Sequence, residues 1–144
     1  MPDLPPPIPF RFESATPLRW VDVDSEGVVN NAVYLSLFEQ ARYEYFARLA
    51  ALRAGNIAFV LAEAKTTFCR PGRLGMAVVT RARVRRLGRS SLEMDFESVG
   101  DGEILVRGSA ILVWVDQDLR PMPIDATARR RIAAFEGIPE GSSE

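Results

Sequence analysis

Asp22, Asp24, Gly27, Asn30 and Asn31 fall in the stretch DVDSEGVVNN, directly before a helical pattern that opens at Asn31. Carboxylates two residues apart can act as base, nucleophile or metal ligands, and a helix start can bind developing negative charge. The chain contains no histidine. That removes the Ser-His-Asp and Cys-His arrangements, the metalloprotease helix motif and the usual zinc sites, each of which uses imidazole as base or ligand. Carboxylates, hydroxyls, lysine or main-chain amides must carry whatever chemistry the chain performs.

Three chemistries compete for the cluster. Asp22, Asp24, Glu26 and Gly27 match positions one, three, five and six of a calcium loop, but the twelfth position, where a bidentate glutamate belongs, is Val33. Phosphoryl transfer through the D-x-D pair lacks the repeated βαβ pattern of a parallel phosphate-binding fold. Acyl transfer uses the helix: its first N–H groups have no intrahelical partner and point at the place where an acyl oxygen would gain charge. Asp24 lies a few residues upstream, within reach of the same point. Such a site works without histidine when the leaving group is a thiolate, whose conjugate acid has a pKa of about 8.5 and needs little general-acid help.

Each candidate also has a plain structural role. Asp24 can cap its own turn, Asp22 can brace the loop and Asn30 can cap the helix. Glu39 can pair with Arg42 or Tyr43. Glu63 stands in the apolar stretch FVLAEAK and needs a partner or a function if buried. Cys69, in TFCRPG, has no histidine to activate it and is expected to be a partly buried bystander.

The elements that must position these residues follow from periodicity. Tyr34, Phe38, Ala41, Tyr45, Leu49 and Leu52 recur at spacings of four and three, which predicts a helix from Asn31 to about Arg53, with Gly55 as its C-terminal glycine and a Glu44–Arg48 pair on its polar side. At 1.5 Å per residue it would be roughly 35 Å long. RFESATPLRW reads as a first strand at an edge or bulge because of Pro17. IAFVLAEAKTTF and the stretches 76–87, 91–99 and 103–116 read as four more strands. Their alternation sets Arg81, Arg83 and Arg85 opposite Glu97, Asp95 and Glu93, and it aligns Phe96 with Val106, Met94 with Gly108 and Leu92 with Ala110. Gly108 and Ala110 would then let a helix approach closely. A short helix over DATARRRIAAF would carry Arg129 to Arg131 on a solvated face. The sum is an α+β fold, a curved antiparallel sheet wrapped around one long central helix.

The 144 residues suit one domain, 10–136, after an extended Pro-rich arm at 1–9 and before a polar tail at 137–144. With 47% hydrophobic residues a core is assured, and a net charge of −1 gives no whole-chain reason for nucleic-acid binding. One cysteine, no signal-peptide pattern and no apolar run of membrane-spanning length point to a cytoplasmic protein without a membrane partner.

The segment RWVDVDSEGVVNNAVYLSLFEQARYEYF, with CRPGRLG, RLGRSSL and RPMPI downstream, resembles the hotdog-fold acyl-CoA thioesterases of the 4-hydroxybenzoyl-CoA thioesterase-like family over roughly Arg11 to Ile124. The resemblance implies hydrolysis of an acyl-CoA to free acid and CoA, with no metal and no other cofactor. It assigns Asp24 as the aspartate that attacks, or activates water to attack, the thioester carbonyl. Asn31 would polarise that carbonyl through its main-chain N–H, and Gly27 would be the glycine of the tight loop. Arg86, Arg89 and Ser90 fall where some members grip CoA phosphates. It also implies a homodimer or homotetramer with sites at the subunit interface. Val28 and Asn31 stand where many relatives carry histidine, which argues against a dehydratase and leaves a non-catalytic acyl-CoA-binding protein as the alternative.

Overall fold

The computed structural model describes residues 9–141. The expected arm at residues 1–9 therefore lies, apart from Pro9, outside the described residues, as do the last three positions of the expected tail. In chain order come β1 (Phe12–Ala15), a 3-10 turn (Trp20–Asp22), α1 (Asn31–Arg48), β2 (Phe59–Phe68), β3 (Val78–Leu87), β4 (Ser91–Gly100), β5 (Glu103–Trp114) and α2 (Ala126–Glu136). The strands form one antiparallel sheet in the order β1-β3-β4-β5-β2, curved around α1. β1 is an edge and ends before Pro17, whose missing N–H no ladder then needs.

The α1 face that meets the sheet carries Tyr34, Leu37, Phe38, Ala41, Tyr45 and Phe46, all buried. Phe38 stacks on Phe96 of β4 with centroids 4.0 Å apart, and Phe46 stacks on Phe59 of β2 at 4.9 Å. The helix ends at Arg48, about 27 Å from its start, well before Arg53. Ala50 turns the chain out with φ of 52° in the left-handed position that glycine usually fills. Gly55 belongs instead to a tight turn in which Arg53 and Asn56 exchange main-chain hydrogen bonds of 2.8 and 3.0 Å. Glu44 does not pair with Arg48: it accepts from Ser14 Oγ of β1, and Arg48 lies over the rings of Phe12 and Phe135.

Arg81 and Arg83 face Glu97 and Asp95 as expected, at 3.1 and 3.0 Å. A bulge between Val84 and Arg86 puts Arg86, not Arg85, opposite Glu93, yet Arg85 still bonds Glu93 at 3.1 Å and Asp95 at 2.8 Å. Between β4 and β5 the parity is right and the register differs by two: Phe96 faces Gly108, Met94 faces Ala110 and Leu92 faces Leu112. The cause is a two-residue turn, Asp101-Gly102, with φ of 51° and 78°, followed by a bulge beyond Ser98. Gly108 makes room for the Phe96 ring rather than for the helix, since a Cβ there would sit 2.1 Å from Phe96 Cζ.

α2 is capped by Asp125, whose Oδ2 accepts from the N–H groups of Thr127 and Ala128, and it ends at Gly137. Of its arginines Arg130 and Arg131 are exposed as expected and Arg129 is not. Arg129 is buried and donates to the carbonyls of Gly88, Arg89 and Glu140, while Arg131 donates to Ala50 O. Glu136, also buried, accepts from Tyr45 Oη at 2.9 Å and from Val84 N at 2.6 Å. Burial, the largest influence, raises its pKa from the ordinary glutamate value, against the pull of the Val84 amide, Tyr45 and the charges of Arg11 and Arg83. The folded chain thus holds this proton more tightly than the unfolded one. The resulting stability is complete below a pH of about 4.3 and is lost as pH rises through the raised folded value. Glu136→Gln cannot ionise, so thermal melts between pH 4 and 9 should show the wild type losing stability relative to the variant as pH rises; parallel curves would refute this.

Candidate active site

The loop before α1 is built by its aspartates. The Asp22 carboxylate is buried and accepts from Arg19 N at 2.7 Å and Arg19 Nη2 at 3.0 Å, and its carbonyl accepts from Asn30 N at 2.9 Å. The Arg19 side-chain hydrogen bond holds the Asp22 pKa below the ordinary value. Asp22 therefore ties the first strand's exit to the helix entrance. Asp24 is exposed, and its Oδ1 accepts from Glu26 N at 2.8 Å and Val28 N at 3.1 Å. Asp24 N in turn donates to Val28 O at 2.8 Å, and Val23 bridges Val29. The tight reversal runs through Gly27 with φ of 75°, a conformation that a side chain there would strain. Asp24 Oδ2 takes no hydrogen bond among the described residues, so one oxygen shapes the loop and the other is available for chemistry.

Asn30 occupies the N-cap position, but its side chain makes no capping bond, contrary to the sequence expectation. Asn31 is the first helical residue, and its N–H is one of the first-turn donors that the helix cannot satisfy. Beside it opens a cavity of about 260 Å³ lined by Val28, Asn31, Tyr34, Phe68, Cys69 and Arg70, among others. The structure thus places Asp24, Gly27 and Asn31 on one loop-to-helix junction. Cys69 is exposed at this cavity rather than partly buried, with only a 3.7 Å contact to Thr67 O. Tyr34, read from sequence as part of the apolar stripe, brings a hydroxyl to the same place. Burial raises the Tyr34 pKa, against the influence of the nearby Gly72 amide, whose approach falls short of hydrogen-bond geometry. The only sequence signal for it was the residue type, since a buried tyrosine oxygen ordinarily finds a partner.

Arg86 and Arg89 lie on the β3–β4 hairpin around a separate concavity of about 460 Å³, which Arg85 also lines. The buried Arg129 guanidinium fastens the hairpin from beneath by holding the Gly88 and Arg89 carbonyls, and Ser90 O accepts from Trp114 N. This hairpin is at the Trp114–Phe59 end of the sheet, whereas the helix start is at the Phe68–Val106 end. The intervening length of β2 is roughly 30 Å. One chain therefore does not bring Arg86, Arg89 and Ser90 to its own Asn31.

The other carboxylates stand apart. Glu63 is exposed, 3.3 Å from Lys65, and its register partner Ile111 alternates with the core residue Ala110, so it lies on the face turned away from α1. Glu39 is exposed and 3.9 Å from Arg42, as expected. No cluster of three or more acidic or cysteine residues that could hold a metal ion exists among the described residues, and none of their helices is long and apolar enough to cross a membrane.

Residues 26–106 match the family model described as Thioesterase superfamily. A thioesterase from Thermus thermophilus, solved in complex with coenzyme A and Zn, is 40% identical and superposes with a TM-score of 0.82 over 90% of this chain and 98% of that one. A thioesterase-superfamily structure from Jannaschia sp. CCS1 is 26% identical, with a TM-score of 0.81 over 92% of this chain and 87% of that one. The chloroplastic acyl-acyl carrier protein thioesterase ATL3 of Arabidopsis thaliana is 28% identical over 127 residues, 82% of this chain. The chain spans 65% of that relative's length.

Proposed function

From the premise that the chain belongs to the thioesterase superfamily, whose chemistry is thioester hydrolysis, we propose that it cleaves an acyl-CoA to free acid and CoA. The observation that carries the proposal is that Asp24, with one carboxylate oxygen unbonded among the described residues, stands in the loop that leads straight into the helix start at Asn31, whose first N–H groups have no intrahelical partner. The amide polarises the thioester carbonyl and stabilises the charge it gains in the transition state. Asp24 Oδ2 acts as base on water or as nucleophile, and Gly27 permits the reversal that presents it. The thiolate departs without a general acid, which is why a chain without histidine suffices.

CoA is favoured over a protein-borne pantetheine by the three-arginine concavity at the β3–β4 hairpin, which suits nucleotide phosphates. The roughly 30 Å between that hairpin and Asn31 favours a site shared by two copies, arranged so that the hairpin of one approaches the helix start of the other. β2 supports a second copy as well: it is an edge strand with Val60, Leu61 and Phe68 exposed, and edges of this kind are protected by pairing. A homodimer, alone or paired again, is the proposed assembly. Static light scattering that shows only monomer at assay concentration would overturn the shared site.

Release of free thiol from a panel of aliphatic and aromatic acyl-CoAs tests the activity itself. Turnover of at least one member is expected. A protein that binds non-hydrolysable acyl-CoA analogues yet releases no thiol from any member would be an acyl-CoA-binding protein instead.

A further inference from the structure

Tyr34 is 2% exposed and its hydroxyl has no hydrogen-bond partner among the described residues. Buried hydroxyls are ordinarily paired, and one that is not calls for a partner supplied by something bound. Tyr34 is three residues after Asn31, on the same helix face, and helical side chains lean toward the N-terminus. Its ring therefore covers the first turn of α1, where it lies tilted against Phe68 at 6.1 Å and approaches Val29 and Gly72. Both Tyr34 and Asn31 line the 260 Å³ cavity. The cavity's one cation, Arg70, is 3.1 Å from Glu103, and the remaining walls are largely apolar. A neutral carbonyl on an apolar stem fits these surroundings better than a free anion.

We propose that Tyr34 Oη is a second hydrogen-bond donor to the carbonyl oxygen bound at the start of α1, acting beside the Asn31 main-chain N–H. The inference rests on the thioester site proposed above and adds a residue to it. Two donors converging on one oxygen hold the carbonyl in a fixed plane, and the phenol adds a donor that the helix end alone does not provide. The free protein leaves this donor unpaired and covered, with Gly72 against it, so the contact is made only when an arriving ligand moves the ring or the Gly72 loop aside.

Tyr34→Phe removes the oxygen and nothing else. In the free protein it deletes an unpaired buried hydroxyl, so the melting temperature should hold or rise. On thioesters kcat/KM should fall by roughly tenfold to a hundredfold, through KM as well as kcat because the ground-state carbonyl is held too. Opposite signs on stability and activity distinguish this role from a structural one; a lower melting temperature with unchanged kinetics would overturn it.

Cys69 at the rim supplies a readout that needs no turnover. Its alkylation by iodoacetamide is measured with S-acetonyl-CoA, which keeps a carbonyl but cannot be hydrolysed, and with S-propyl-CoA, which has none. In the wild type the acetonyl compound should protect Cys69 at about tenfold lower concentration, and in Tyr34→Phe that advantage should shrink to the part that the Asn31 N–H alone supplies. Equal protection by both compounds in the wild type, or protection by neither, overturns the inference. A difference that depends on Tyr34 in a protein that hydrolyses no acyl-CoA would uphold the inference and refute the proposed activity.

Discussion

Asp24→Asn should lower kcat for acyl-CoA hydrolysis by roughly 10²–10⁴-fold while the protein keeps its fold and, within a small factor, its KM. The substitution is chosen for what it preserves. Asp24 Oδ1 accepts the N–H groups of Glu26 and Val28, and an asparagine oxygen accepts them as well, so the reversal that leads into α1 survives. What disappears is the negative charge and basicity of the second oxygen. Asp24→Ala removes both functions together and should lose stability as well as activity. The two variants separate the roles: an Asp24→Asn protein with full turnover beside an inactive Asp24→Ala protein would make Asp24 a loop cap and nothing more. A single turnover of the wild type in oxygen-18 water then tests the nucleophilic route, because label in the Asp24 carboxylate requires a mixed anhydride that water opens at the enzyme carbonyl and so excludes simple general-base catalysis.

Alternation and turn chemistry made much of this fold legible, and the misjudged details share a cause. The parity of Leu92, Met94 and Phe96 against β5 was readable because side chains alternate with a period of two. The register was not, because a bulge after Ser98 adds a residue that no composition announces. The end of α1 is not legible because Ala50 takes the left-handed conformation that glycine usually fills, and the Leu49 and Leu52 positions continue the apolar spacing past the last helical turn. Residue type identified Arg129 as charged and therefore exposed. Its three carbonyl partners come from a hairpin and a terminus that are distant in sequence, so the pairing that makes its burial tolerable could not be foreseen. At the candidate site, the placement of Asp24, Gly27 and Asn31 at the loop-to-helix junction was legible because it is set locally. Tyr34 and Cys69 were not, because the cavity they share with Asn31 also needs β2 and the loop that follows it.

The same contrast between local and distant geometry sets the second large effect. Arg86→Ala/Arg89→Ala should raise KM for acyl-CoA by about tenfold to a hundredfold and leave the corresponding acyl-pantetheine, which lacks the nucleotide phosphates, nearly unaffected. The arm between the CoA sulfur and its first phosphorus spans roughly 16 Å when extended, judged from standard bond lengths. Roughly 30 Å of β2 separates the hairpin from the helix start of the same chain, so a chain's own hairpin lies beyond the first phosphate of the CoA whose acyl group it cleaves. In a two-fold dimer each site then combines Asp24 from one copy with Arg86 and Arg89 from the other. Mixing Asp24→Asn with the double arginine variant and allowing the subunits to exchange should therefore recover activity that neither protein has alone under subsaturating acyl-CoA. Half of the randomly assorted dimers are mixed, and each mixed dimer has one site with both defects and one with none, so recovery should approach about a quarter of the wild-type rate. A site contained within one chain predicts no recovery at any mixing ratio, because every chain in the mixture carries one of the two defects.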